Sequence, residues 1–183
     1  TVEHYVSGEG DVKPNTISFT SVIDAWANSG DKRGPSRAEQ IMRKMDELSK
    51  LGDQDLRPDI TTCNAVINAF AKSGEKGSAS KAEQLLAEME QRSKIEFHLK
   101  PNTVTYSAVI NALGKSGEQG AAVRAEHLLS LMQRQHDKGN SFVIPNTRSY
   151  TSVINACAFA KHPDDRKDAF EIAFRVFKKM TLE

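Results

Sequence analysis

Apolar residues recur along this chain at the helical spacing i, i+3, i+4, i+7 in two alternating kinds of run. The first kind reads Phe19, Val22, Ile23, Trp26; then Cys63, Val66, Ile67, Phe70; then Tyr106, Val109, Ile110, Leu113; and Tyr150, Val153, Ile154, Cys157. Each run follows a Pro and an Asn or Asp, at Pro14-Asn15, Pro58-Asp59, Pro101-Asn102 and Pro145-Asn146. Proline disfavours helix in the residue before it, and Asn or Asp offers an acceptor to the orphan amides of a new first turn. Three runs close at Ser29-Gly30, Ser73-Gly74 and Ser116-Gly117, where glycine takes the left-handed conformation that ends a helix. The fourth closes at Lys161-His162-Pro163. The pattern predicts A helices near 16–29, 60–73, 103–116 and 147–160.

The second kind of run carries Ala, two adjacent apolar residues and Met: Ala38, Ile41, Met42, Met45; Ala82, Leu85, Leu86, Met89; Ala125, Leu128, Leu129, Met132; Ala173, Val176, Phe177, Met180. It predicts B helices near 35–50, 79–95, 121–138 and 165–181, so each unit is a helical hairpin. The Pro-Asn/Asp starts lie 44, 43 and 44 residues apart, the signature of a repeat array. The units are 14–57, 58–100, 101–144 and 145–183, after a leader or the end of a preceding repeat at 1–13. One hairpin cannot cover its own apolar stripe, so neighbours stack. The expected fold is all-α, a solenoid of four hairpins with A helices on one wall and B helices on the other.

Charge changes the picture little. There are 25 basic and 24 acidic residues, 38% hydrophobic content, and no apolar run long enough to span a membrane. Cys63 and Cys157 fall on stripe positions of different units and read as core thiols of a reducing compartment. No presequence is evident, and the chain reads as a segment of a longer protein. His4, His98, His127, His136 and His162 show no paired ligand spacing, and no Cys-x-x-Cys or Gly-rich phosphate loop occurs. Glu39, Glu83 and Glu126 recur after the Ala of helix B, one carboxylate per unit, as a bracing or solvated position. Neither an enzyme, a cofactor nor a metal is expected.

Pro-Asn/Asp, Val-Ile-Asn-Ala, Lys-Ser-Gly, Ala-Glu-x-Leu-Leu and Met in this register resemble the pentatricopeptide repeat (PPR) family over about residues 12–180, although the family's usual unit is shorter. The excess lies in the A–B loop (74–80 in unit two) and the tail of helix B (90–100), both read as outside the packed stripes. The resemblance implies a right-handed superhelix with the A wall concave, binding single-stranded RNA at one base per repeat. It assigns base choice to Thr20, Asn64, Ser107 and Thr151, each paired with the residue before the next A helix: Asp59 for unit one, Asn102 for two and Asn146 for three. Asn15 completes a preceding unit. The implied core is 5′-G-C/U-A-3′. Ile17, Thr61, Val104 and Arg148 take the position that sandwiches bases, where Arg departs from the pattern; Lys72 and Lys115 take the phosphate position, held by Asn28 and Phe159 in the other units.

Two lysines neutralise little charge, and a pI near 7.7 implies modest affinity for so short an array. Kinship implies mitochondria or plastids, in RNA processing, stability or translation. Asn and Asp after Pro are equally N-caps of any helical repeat, and Ser, Thr or Asn on a helix face is often just solvated. The rival reading is a protein–protein scaffold of tetratricopeptide type, with other proteins as partners. Uncovered end stripes also make self-association an expectation.

Overall fold

A computed structural model describes residues 13–160 and 163–182, with the side chains of residues 163 and 164 excepted. Among them are eight α-helices and no strand: α1 Thr16–Asn28, α2 Gly34–Lys50, α3 Ile60–Ser73, α4 Ser78–Arg92, α5 Thr103–Ser116, α6 Ala121–Asp137, α7 Thr147–Ala158 and α8 Pro163–Leu182. The chain is an all-α helical-repeat solenoid. Residues 1–12 of the expected leader, and Lys161 and His162 of the expected break, lie outside the described residues.

Each A helix starts on a capping box. Asn15, Asp59, Asn102 and Asn146 accept from the amide three residues on, and the hydroxyls of Ser18, Thr62, Thr105 and Ser149 accept from the cap's own amide in return. At the other end, Gly74 and Gly117 close α3 and α5 at φ 60°, which a side chain would strain.

Successive A helices pack directly on one another, α1 on α3, α3 on α5 and α5 on α7, while each of the first three B helices packs on its own A helix and on the next one. Of the B pairs only α6 and α8 pack closely. A row of near helices backed by a row of wider-spaced ones curves with the near row inside, so the A helices line the concave wall.

The A stripes are largely buried as their spacing predicts, with Trp26 and Ile154 half-buried and one clear departure. Val66, Val109 and Val153 are fully buried but their counterpart Val22 is 48% exposed, because among the described residues no A helix packs on that side of α1. The last B helix corrects the sequence reading. Its buried face is Ala169, Ile172 and Val176 with Ala173 half-buried, whereas Phe177 is 53% exposed and Met180 only partly covered. Ala169, not Ala173, is therefore the counterpart of Ala38, Ala82 and Ala125, one turn earlier than the Met-based alignment.

The tails of the B helices are not outside the packing either. Two residues before each Pro, Leu56, Leu99 and Val143 are buried to 0%, 1% and 0% exposure. The first two end single 3-10 turns, Gln54–Leu56 and Phe97–Leu99. Thr16 Oγ1 donates to the carbonyls of Asp55 and Arg57, and Thr103 N to that of Phe142, so the first and third tails are tied to the A helix that starts their own unit.

Carboxylates bridge units on the outer side. Glu39, Glu83 and Glu126 meet Lys81, Arg124 and Arg175 of the following B helix at 3.7, 2.8 and 2.8 Å. Along the loop edge, Glu118 accepts from the amide of Gly77 and Asp165 from that of Gly120, the N-cap residues of α4 and α6. Each places a negative charge on the positive end of the preceding B helix.

Candidate nucleic-acid interface

Four rows of side chains cross the concave wall, because residues four apart on a helix share one face. The first-turn row is open: Ile17 is 75% and Val104 54% exposed, and Thr61 and Arg148 are exposed too. Next comes the row of Thr20, Asn64, Ser107 and Thr151, which the structure places at unequal depth. Thr20 and Ser107 are only 8% and 3% exposed, Asn64 is half-buried and Thr151 exposed. This row lies at the seam between successive A helices. A short side chain there is overlapped by the next A helix, the longer Asn64 reaches further out, and Thr151 has no following A helix among the described residues.

The seam joins the two residue classes that the family resemblance pairs. Thr20 Oγ1 lies 2.9 Å from Thr62 Oγ1, which donates to Asp59 Oδ1 at 3.0 Å. The hydroxyl of Thr62 thus links Thr20 of the first unit to the cap of the second; no base-contact role had been read into it from sequence. Asn64 Oδ1 and Ser107 Oγ are buried without a protein partner. A buried polar atom in that state costs about 1–3 kcal/mol relative to a bonded one.

The caps spend only one atom on capping. Asp59 Oδ1 takes the Thr62 amide at 2.8 Å, Asn102 Oδ1 those of Val104 and Thr105, and Asn146 Oδ1 that of Ser149. Among the described residues this leaves Asp59 Oδ2 and the Nδ2 groups of Asn102 and Asn146 without a protein partner. Asn15 does the same for the Ser18 amide and is exposed. Capping and ligand recognition therefore draw on different atoms of one side chain.

The third row, Asp24, Asn68, Asn111 and Asn155, was not singled out from sequence, although the Val-Ile-Asn-Ala motif spelled most of it. Asp24 and Asn155 are exposed, Asn68 and Asn111 half-buried. In the fourth row Lys72 Nζ donates to Asn28 Oδ1 across the first seam, while Lys115 and Phe159 are exposed. The wall is thus rich in neutral hydrogen-bonding groups and poor in cations.

Among the described residues no three His, Cys, Asp or Glu side chains are grouped to hold a metal ion, and no described helix is long and apolar enough to cross a membrane. Cys63 and Cys157 are free and buried, and burial pushes their thiols up to about 12 and about 11, far from thiolate reactivity. The recurring glutamates are committed to inter-unit ion pairs.

Residues 48–116, from the end of α2 through α5, match the family model of the pentatricopeptide repeat domain. No curated protein sequence matches the chain.

Proposed function

With residues 48–116 a pentatricopeptide repeat domain, we propose that this helical-repeat protein binds single-stranded RNA along its concave wall, one base per seam between successive A helices. The observation that carries the reading is the set of polar atoms that the A helices leave without a protein partner, Asn64 Oδ1, Ser107 Oγ and the spare cap atoms of Asn102 and Asn146. A base edge brought there supplies hydrogen bonds that the protein does not make for itself. Ile17 and Val104 flank the row with exposed apolar surface for base faces.

In this reading Thr20 with Asp59 selects guanine, Asn64 with Asn102 a pyrimidine, favouring cytosine, and Ser107 with Asn146 adenine, giving 5′-G-C/U-A-3′. Asn15 and Thr151 belong to the flanking positions. Thr61 and Arg148 stand in the sandwich row, Arg148 offering a guanidinium plane to a base or a charge to a phosphate. Lys72 and Lys115 take phosphates. By family resemblance alone, this reading has the activity serve RNA processing, stability or translation in a mitochondrion or plastid.

Fluorescence anisotropy against single-stranded RNAs with G-C-A, G-U-A or scrambled cores, at about 50 mM salt where phosphate contacts are strongest, tests the reading. The matched cores bind tighter, and Asn64→Ala weakens them roughly tenfold, about 1.4 kcal/mol, as for the loss of hydrogen bonding to one base edge. Indifference to core sequence and to the Asn64 substitution overturns base recognition. Absence of RNA binding altogether, at a net charge of +1, favours a protein-binding scaffold on the same wall.

A further inference from the structure

The forward-facing stripe of the B helices changes chemistry at α8. In the first three units the residue after the core Ala is an acid, Glu39, Glu83 or Glu126, and each pairs with a base on the next B helix. In the same register, one residue past the core Ala169, α8 has Phe170. Phe174 and Phe177 follow it at i+4 and i+7, and the three are 75%, 67% and 53% exposed. Another hairpin joined by the chemistry of the earlier seams would meet an aromatic ring at the position where each of those seams has a carboxylate, so the recurring ion pair would not form there. The same mismatch faces a head-to-tail neighbour, since α2 carries Arg37 at the position that Lys81 and Arg124 take in α4 and α6.

We propose that this stripe is the interface of a two-fold symmetric dimer in which α8 packs antiparallel against α8 of a second copy. An apolar stripe is its own complement, the condition for an isologous contact. In an antiparallel pair centred near Phe174, the exposed Glu171 of one copy lies beside the exposed Lys178 of the other, so charges flanking the stripe also match. The three rings leave roughly 300–500 Å² of apolar surface open per copy, from about 150–250 Å² per aromatic side chain. That is the apolar centre of an interface at the small end of the specific range of about 1,200–2,000 Å² in total. The dimer is therefore concentration-dependent rather than obligate. It leaves the concave wall free, so its existence does not depend on RNA binding.

Sedimentation velocity of the 183-residue chain across the micromolar range tests this. The mass rises from one chain to two. Phe174→Glu stays at one chain with unchanged circular dichroism, its dimer weakened more than about tenfold, as for a residue at the centre of an interface. Phe174→Cys links to itself on oxidation, since Cys63 and Cys157 are buried and do not compete. A single-chain mass at every concentration, growth beyond two chains, equal disruption by Val22→Glu at the opposite end, or no self-linkage of Phe174→Cys would each overturn the proposal.

Discussion

Glu118 joins the second hairpin to the third along the loop edge, and its replacement measures how much such contacts hold the array together. Its side chain is 12% exposed. Oε1 accepts from the Gly77 amide at 3.0 Å, and Oε2 from Ser80 Oγ at 2.9 Å and from Arg124 Nη2 at 2.6 Å. Alanine leaves the half-buried Gly77 amide without its acceptor, while Ser80 is exposed to water and Arg124 keeps Glu83 at 2.8 Å. The loss is one charge-assisted bond at a helix start plus part of an ion pair, about 2–3 kcal/mol. Glutamine keeps an acceptor for Gly77 but not the charge, so Glu118→Gln costs about 1 kcal/mol. At about 2–4 °C per kcal/mol for a chain of this size, the alanine variant melts roughly 5–10 °C lower.

Burial pushes the Glu118 carboxyl up, but the bonds from Arg124, Ser80 and the Gly77 amide outweigh it and hold it below its ordinary 4.5. A lowered native value contributes stability above the ordinary value and loses it as pH falls through the native one. The gap between wild type and Glu118→Gln therefore closes in acid below about 4.5. Urea unfolding followed by circular dichroism gives the global loss, and amide exchange at Gly77 the local one, because stacked repeats open unit by unit. An alanine variant with the wild-type midpoint and unchanged Gly77 exchange refutes the reasoning. A gap between wild type and glutamine that persists unchanged in acid refutes the electrostatic part of it.

Leu99→Ala empties the plug under the second tail and lowers stability by about 2–5 kcal/mol in urea titration; a loss below 1 kcal/mol would return that tail to the surface. Tyr106→Phe removes the hydroxyl that donates to Glu90 and accepts from Gln135 at 2.8 Å, at a cost of about 1–3 kcal/mol. Burial and the neighbouring Glu90 push that phenol up, so Tyr106 stays protonated in alkali where an ordinary tyrosine ionises, and the phenylalanine variant loses that late step in ultraviolet absorbance. Gly34→Ala sets a Cβ 2.6 Å from the Trp26 carbonyl and lowers the melting temperature even though Ala is the better helix former. Cys63 and Cys157 react with a thiol reagent at the rate of unfolding, not faster.

The sequence by itself determined what repeats: the period, the proline that starts each hairpin, the Asn or Asp that caps it, and the stripes that must be covered. These are local effects, carried by residues within one or two turns, and all eight helices fall where the periodicity puts them. That Thr20, Asn64, Ser107 and Thr151 share one wall follows from the common position each holds in its A helix. Tertiary structure decided what depends on a neighbour 40 residues away. Whether Thr20 is open or overlapped depends on how closely α3 approaches α1. That Val22 is exposed while Val66 is buried depends on which side has a neighbouring A helix. Leu56, Leu99 and Val143 recur with the repeat but lie outside its helical stripes, so packing alone shows them buried, and the partner of Glu118 is a backbone amide, which no side-chain pattern encodes. The register of α8 was misread for a related reason: its Met marked a helical turn but not the face that α6 and α7 cover. Helical period fixes which residues share a face, while only packing between units fixes which face is inside.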